Sequence, residues 1–404
     1  MDLLPCPLSD AVSKYPHKIA LVFNDTCLTY TEILQKVEQL SSALSFIRPQ
    51  EKVAFIAKTH PSTLFLFLAL FRLQAIACPL STRLPPQQIP QSIQRLQADH
   101  FLDVETLSFS QQTKRIETIR GSQLATFLFT SGSIGTPKIA CHTFGNHYAN
   151  AEGMLKPLDL SHDSSYLLSL PLFHVGGIAI LFRSLLAGAT LVLSPSYPAT
   201  HLSFVPTQLF RKKDFPPPPS LKCALIGGAP FPSSIHLPNW PLFHAYGMTE
   251  MSSTITVHGK AVANREVTLK NQEIYVRGKT LFAGYFEEGK ITLPLEEGWF
   301  ATKDIGHLSE DGKLIILGRK DRQFISGGEN IQPEEIENAL LSIPGITRAK
   351  VTPVEDLEFG YRPVAFIESS NYTLNWIKEQ LSPLLPSFKH PTAVHPFCDS
   401  LCEK

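Results

Sequence analysis

Through its first 230 residues the chain repeats one pattern, a short β-rich run followed by an apolar or amphipathic stretch of helix length. "KIALVF" (residues 18–23) precedes "LTYTEILQKVEQLSSAL" (28–44), and "KVAFIA" (52–57) precedes "TLFLFLALF" (63–71). Antiparallel neighbours need only a tight turn, whereas parallel neighbours need a crossover of a dozen or more residues, so this spacing predicts parallel strands joined by helices. Thr29 and Glu32 stand at the spacing of a capping box at the start of the first helix. The apolar segment at 63–71, closed by Arg72, is far shorter than the roughly 20 residues that cross a bilayer and reads as a buried helix.

The middle continues the rhythm with "SYLLSLPLF" (165–173), the helical "GGIAILFRSLLAG" (176–188), "ATLVLS" (189–194), "FVPTQLFR" (204–211) and "LKCALIGGAP" (221–230). "FPPPPS" (215–220) lacks the donors of a helix or central strand and is expected as a surface connection. From about residue 266 short strands and turns take over ("REVTLKNQEIYVRG", "GKLIILG"), which predicts a β-rich subdomain. After residue 318 comes "SGGENIQPEEIENALLSIPGI", with Pro333 in the first turn of an amphipathic helix and acidic residues where the helix dipole favours them. The expected fold class is therefore α/β. Residues 1–318 form a large unit of parallel α/β subdomains plus a β-rich one, and residues 319–404 form a small mobile α+β domain.

A chain of 404 residues exceeds what one hydrophobic core supports, and 43% hydrophobic residues suffice to fill more than one. Thirty-six basic residues balance thirty-six acidic ones, so no net field draws nucleic acid or an anionic membrane, and small molecules are the expected partners. The seven cysteines show neither zinc spacing nor a disulfide framework, and the start "MDLLPCPLSD" has no basic-then-apolar leader. A reducing cytoplasm is the expected location. Oligomeric state is not readable from the sequence.

"TSGSIGTPK" (130–138) follows the apolar run "LATFLF". Gly132 and Gly135 let backbone N–H groups approach an anion, Thr130, Ser131, Ser133 and Thr136 add hydroxyl donors, and Lys138 adds a charge. These parts suit a polyphosphate. The spacing is neither that of a Walker A loop nor that of a dinucleotide fingerprint. A flexible strand-to-helix turn with solvated hydroxyls is the other reading.

In order along the chain, "TSGSIGTPK", "YGMTE" (246–250), "WFATKDIG" (299–306) and "GRKDRQFISGGENIQPEEIE" (318–337) resemble the motifs of the adenylate-forming superfamily, which comprises acyl-CoA ligases, luciferases and peptide-synthetase adenylation domains. The resemblance implies ATP, Mg²⁺ and coenzyme A as cofactors. It also implies that a substrate carboxylate attacks the α-phosphorus of ATP, and that a thiol then attacks the acyl-adenylate. Tyr246 and Gly247, with Gly227, Gly228 and Ala229 of "LIGGAP", would enclose adenine; Thr249 would donate to the α-phosphate; Glu250 would hold the metal, as suits a hard oxygen ligand. Asp304 and Arg319 would bind the ribose, Asp321 would be the hinge, and Gly327 and Gly328 would leave room for a pantetheine arm. Taken singly, Tyr246 also reads as a core tyrosine, the charged residues as surface charges and the glycine pair as a turn. Lys138 would be one catalytic cation. In the family a second lysine follows a proline and a glycine near the C-terminus. Lys404 lies eight positions after Pro396 but without the glycine, and it reads equally as a terminal lysine.

Within the superfamily, "HTFGNHYANAEG", "LLSLPLFHVGGIAILFRSLLAG", "AYGMTEMSST" and "VEDLEFGYRPVAF" resemble the o-succinylbenzoate–CoA ligase family of menaquinone biosynthesis. Arg183 interrupts an otherwise apolar helix, and a buried guanidinium requires a carboxylate partner. An acid with two carboxylates would supply one, as would an internal Asp or Glu, unless the side chain reaches solvent. His174 lines an acyl pocket or belongs to the core. Ser253 and Thr254 donate to the acid or are strand residues. A ligase for another aryl or acyl acid, and a nucleotide-binding protein without catalysis, are the competing functions.

Overall fold

The computed structural model describes residues 2–112, 117–130, 137–195, 197–210, 216–228, 237, 239–327, 329–369 and 372–398. Two large twisted sheets enclose a layer of helices. The nine-stranded sheet runs in parallel through Leu242–Met248, Cys223–Ile226, His201–Phe204, Ser165–Leu167, Thr190–Val192 and Ile19–Phe23. Antiparallel strands finish its edges, Thr26–Thr29 on one side and Ser253–Val257 with Lys260–Ala261 on the other. The seven-stranded sheet has parallel strands Leu124–Phe129, Ile76–Leu80, Lys52–Ile56 and His100–Phe101, then turns antiparallel through Ile139–Thr143, Gly284–Glu287 and Lys290–Thr292.

Helices Tyr30–Ala43, Pro61–Arg72, Phe144–Leu155 and Val175–Ala187 lie between the sheets, and one buried cluster takes residues from all four and from strands of both sheets. A helix wedged between two sheets must be apolar on both faces, and this accounts for the unbroken hydrophobicity of Pro61–Arg72 and Val175–Ala187. Phe71, Phe144 and Phe182 meet at the centre with ring centroids 5.4–5.9 Å apart. The Thr29–Glu32 capping box forms as expected, and the 63–71 segment is a buried helix.

The alternative reading of residues 130–138 as a strand-to-helix turn needs correction. The polar stretch after Leu124–Phe129 does not lead into a helix; it joins two antiparallel strands, Leu124–Phe129 and Ile139–Thr143. Thr130 N–H donates to the Lys138 carbonyl at 2.8 Å across the neck of this hairpin. Ile139–Thr143 is buried on both faces, with Ile139 and Cys141 in one cluster and Ala140 in another, and the far strand Gly284–Glu287 covers its outer edge, a pairing beyond the reach of local pattern.

Antiparallel strands Arg265–Lys270, Glu273–Gly278, Phe300–Leu308 and Leu314–Arg319 form a separate four-stranded sheet. A further buried cluster, from Phe324 to Leu385, gathers around helices Pro333–Leu341 and Leu374–Leu381 and takes no residue from earlier in the chain. Pro333 opens its helix, with Glu334 and Glu335 in the first turn.

Candidate active site

Strand Leu242–Met248 carries Tyr246 and Gly247 into the one-turn helix Thr249–Met251, and the chain returns along Ser253–Val257. So sharp a reversal places Ser252 at φ 56° and Ser253 at φ 113°, conformations costly for residues with a side chain. Gly247 is required here, since a Cβ would sit 2.2 Å from the Ser253 carbonyl oxygen. Surrounding groups hold the turn: Phe282 N–H donates to the Glu250 carbonyl at 2.8 Å, Ser252 Oγ donates to the Thr280 carbonyl at 2.9 Å, and His142 Nε2–H donates to the Thr249 carbonyl at 2.7 Å. Backbone strain stored in a turn with Thr249 and Glu250 at its tip marks a site where position matters more than local stability.

A second group starts from Tyr246, whose hydroxyl donates to Asp304 Oδ2 at 2.6 Å. Asp304 Oδ1 accepts from Arg319 at 3.1 Å, and Arg319 also makes a two-pronged pair with Asp321 at 3.1 and 3.2 Å. The antiparallel register sets Asp304 directly opposite Arg319. Burial raises the Asp304 carboxyl above the usual range, against the pull of Tyr246 and Arg319. Burial also raises the Tyr246 phenol, and the Asp304 charge adds to the effect. Each carboxylate oxygen has a second lone pair, so Asp304 retains acceptor capacity for a diol.

Lys138 projects from the hairpin over the ring of Tyr285, its ammonium 4.5 Å from the centroid, and the Tyr285 hydroxyl donates to Glu250 Oε1 at 2.6 Å. One aromatic ring therefore connects the candidate phosphate lysine to the candidate metal carboxylate. Sequence reasoning passed over Tyr285 because "AGYF" has no recognisable spacing. Ser131, Gly132, Ser133, Gly135, Thr136, Ala229, Gly328 and Lys404 lie outside the described residues. Gly228 adopts φ +85°, while Gly227 lies close enough to the next strand that a Cβ would be 3.0 Å from the Ala245 carbonyl oxygen.

Arg183 is 1% exposed. Its Nη2 donates to Asn150 Oδ1 at 3.2 Å and to Thr254 Oγ1 at 3.1 Å, and its buried Nε has no partner among the described residues. Among the described residues neither an internal carboxylate nor solvent meets it; a neutral polar cradle, which the sequence did not suggest, stands in their place. Thr254 faces Gly247 in the antiparallel register, bringing this cradle next to the Tyr246–Glu250 turn. Ser253 is half-buried beside it. His174 shares no hydrogen bond or ring contact with the cluster among the described residues: it occupies the N-cap position of Val175–Ala187 without a side-chain capping bond, exposed and with its ring against Phe173.

Beneath the turn, the His142 and His147 rings meet at a tilt of 32° with centroids 5.1 Å apart and share Thr126 Oγ1. Burial depresses both imidazoles, His142 to about 4 and His147 well below its ordinary value. Both are neutral at physiological pH. Their presence in "HTFGNHYANAEG" was a signal without an evident role.

Past Arg319, Arg322 pairs with Glu334 and Glu337 at 2.8 and 2.7 Å, while Lys320 reaches back to Glu273 of the four-stranded sheet. Gly327 adopts φ +56°, and a Cβ there would lie 2.7 Å from the Phe359 ring.

The family model for AMP-binding enzymes matches residues 8–120 and 93–286. The chain belongs to that family. Among its relatives, the 2-succinylbenzoate–CoA ligase of Escherichia coli K12 is 35% identical, covering 90% of this chain and 88% of that protein. The Haemophilus influenzae enzyme of the same name is 34% identical over 95% and 91%. Among solved structures, the o-succinylbenzoate–CoA synthetase of Bacillus subtilis in complex with ATP and magnesium superposes with a TM-score of 0.89, at 26% identity over 98% of this chain and 96% of that one.

In this AMP-binding enzyme the donor set fits a magnesium nucleotide. Glu250 offers a hard oxygen at a strained tip, Thr249 a hydroxyl beside it, and Asp304 a carboxylate with spare lone pairs. Among the described residues no helix is long and apolar enough to cross a membrane.

Proposed function

We propose that this AMP-binding enzyme is an ATP-dependent acid–coenzyme A ligase whose acid is o-succinylbenzoate, serving menaquinone synthesis in the cytoplasm. The observation that carries the choice of acid is the buried Arg183 guanidinium. Among the described residues it is held by neutral groups, chiefly Asn150 of helix Phe144–Leu155 and Thr254 of the strand that leaves the Glu250 turn. o-Succinylbenzoate has two carboxylates, one to be activated and one to answer that charge. Curated relatives bearing the 2-succinylbenzoate–CoA ligase name, at up to 35% identity over most of their length, support the same reading.

In the first half-reaction the aliphatic carboxylate attacks the α-phosphorus, forming the acyl-adenylate and releasing pyrophosphate. In the second, the coenzyme A thiol attacks the acyl carbonyl and AMP leaves. Both partners in the first step are anions, so the protein's task is charge neutralisation and alignment. Lys138 faces the polyphosphate, Thr249 donates to the α-phosphate, Tyr246 lies against one face of adenine with the Gly227–Gly228 backbone on the other, and Asp304 with Arg319 holds the ribose. Glu250 would hold Mg²⁺, which when bound offsets phosphate charge.

Residues 1–318 and 319–404 act as two units about Asp321, a division supported by the self-contained cluster from Phe324 to Leu385. The thiols of Cys6, Cys78, Cys141 and Cys223, buried and unpaired, suit a reducing compartment. The test is purified protein with ATP, Mg²⁺, coenzyme A and a panel of acids, following pyrophosphate release and thioester formation. o-Succinylbenzoate should exceed benzoate, acetate and fatty acids. Preference for another acid, or nucleotide binding without turnover, would overturn the reading.

A further inference from the structure

Arg183 is not the only guanidinium buried at the acyl end. Arg265, 6% exposed, stands on the far side of the same two residues. Its Nε donates to the Thr254 carbonyl at 2.8 Å, Nη2 reaches the Asn150 carbonyl at 3.5 Å, and Nη1 donates to the Ala263 carbonyl. Arg183 thus holds Asn150 and Thr254 by their side chains, and Arg265 holds them by their backbones. Helix Phe144–Leu155 makes room for this: a Cβ on Gly153 would fall 2.6 Å from Arg265 Nη1 and 2.5 Å from the Ala263 carbonyl oxygen.

Every group that Arg265 meets here is a neutral carbonyl, and neither arginine forms an ion pair among the described residues. Tyr166 and Cys223, the titratable neighbours of Arg183, supply no compensating charge: burial raises the Tyr166 phenol and pushes the Cys223 thiol up to about 12. The two cations oppose each other. Burial, and then the Arg183 charge, draw Arg265 down to about 9, still protonated at neutral pH. Desolvating one unpaired charge already costs several kcal/mol, and a stable fold that keeps two together gains most from a ligand that brings an anion.

We propose that Arg265 is a positioning residue for acid selectivity: it fixes the backbone of Thr254 and Asn150 beneath Arg183 and doubles the buried positive charge, so that the acyl end favours acids carrying a second carboxylate. This rests on the ligase reading above and extends it from one arginine to a pair.

The experiment compares kcat/KM for o-succinylbenzoate with that for 4-oxo-4-phenylbutyrate, the same acid without its aromatic carboxylate, in wild type, Arg265→Met and Arg265→Lys. Wild type should favour the dicarboxylate. Arg265→Met should reduce that ratio by about tenfold, with Arg265→Lys recovering most of it. If both acids lose equally in Arg265→Met and the ratio stands, the role is structural and the inference is overturned. Should Arg265→Met fail to fold, Asn150→Asp decides. It sets a carboxylate against Arg183, and it should lower the ratio while the melting temperature holds or rises; an unchanged ratio overturns the proposal. Wild-type protein that does not convert o-succinylbenzoate would instead remove the ligase reading on which the pair was built.

Discussion

The Tyr285 hydroxyl donates to Glu250 Oε1 at 2.6 Å, and this bond joins two motifs that the chain separates by more than a hundred residues, since the same ring supports Lys138. Burial and the adjacent Glu250 charge raise the Tyr285 phenol, so it stays a donor throughout the working pH range. Tyr285→Phe keeps the ring under Lys138 and removes the donor. A hydrogen bond to a charged group contributes about 1.5–3 kcal/mol, less where water competes, so adenylation should slow by about tenfold. ATP–pyrophosphate exchange measures this step directly. An unchanged exchange rate would mean that Glu250 is held in place without Tyr285.

Asp304→Asn leaves the fold of its strand intact but weakens the acceptor shared by Tyr246 and Arg319. The KM for ATP should rise by about 10- to 100-fold, the span expected for losing a charge-assisted bond, with a smaller change in KM for the acid. Similar increases for both substrates would argue against ribose contact.

Arg183→Ala removes the cation that Asn150 and Thr254 orient. The KM for o-succinylbenzoate should rise by about a hundredfold or more, as for breaking a buried ion pair, while ATP binding measured by calorimetry is nearly retained. Equal weakening of both ligands would remove Arg183 as the acid's anchor.

His142 and His147 give the fold an acid limit. The folded-state value of His142 lies at about 4 against an ordinary 6.5, so between those pH values the unfolded chain binds a proton that the native chain refuses. Stability is fully present above pH 6.5 and falls as pH drops toward 4. For His142 the total is about 3 kcal/mol, and His147 acts in the same direction. Urea melts at pH 7 and pH 5 should separate, and His142→Gln, whose amide can still donate to the Thr249 carbonyl, should narrow the gap. A gap of the same width in the variant would place the sensitivity elsewhere.

Much of this was legible in the sequence where the physics is local. The capping box at Thr29, the doubly buried helix containing Phe65 and Phe67, and Pro333 at its helix start follow from spacing within a few residues. The nucleotide candidates Tyr246, Asp304 and Arg319 stood out because their motif neighbours are distinctive, and the fold brings them into one hydrogen-bonded chain. Tyr285, Asn150 and Arg265 gave no such signal. Their contacts depend on tertiary register, and a tyrosine in "AGYF" or an arginine in "NREV" looks like any strand residue until the opposing strand is known. The hairpin geometry after Phe129 was out of reach for the same reason, since the neighbour that completes Ile139–Thr143 comes from residues 284–287.

That late neighbour has a consequence for how the protein is made. During synthesis, the segment bearing Lys138 emerges long before the chain through Glu287 does, and until then the outer edge of Ile139–Thr143 has exposed backbone donors and acceptors. Nascent chains stalled short of residue 280 should therefore leave this edge open to stray pairing and prone to clumping, whereas those extended past residue 292 carry the strand that covers it and the strand that flanks that one in turn.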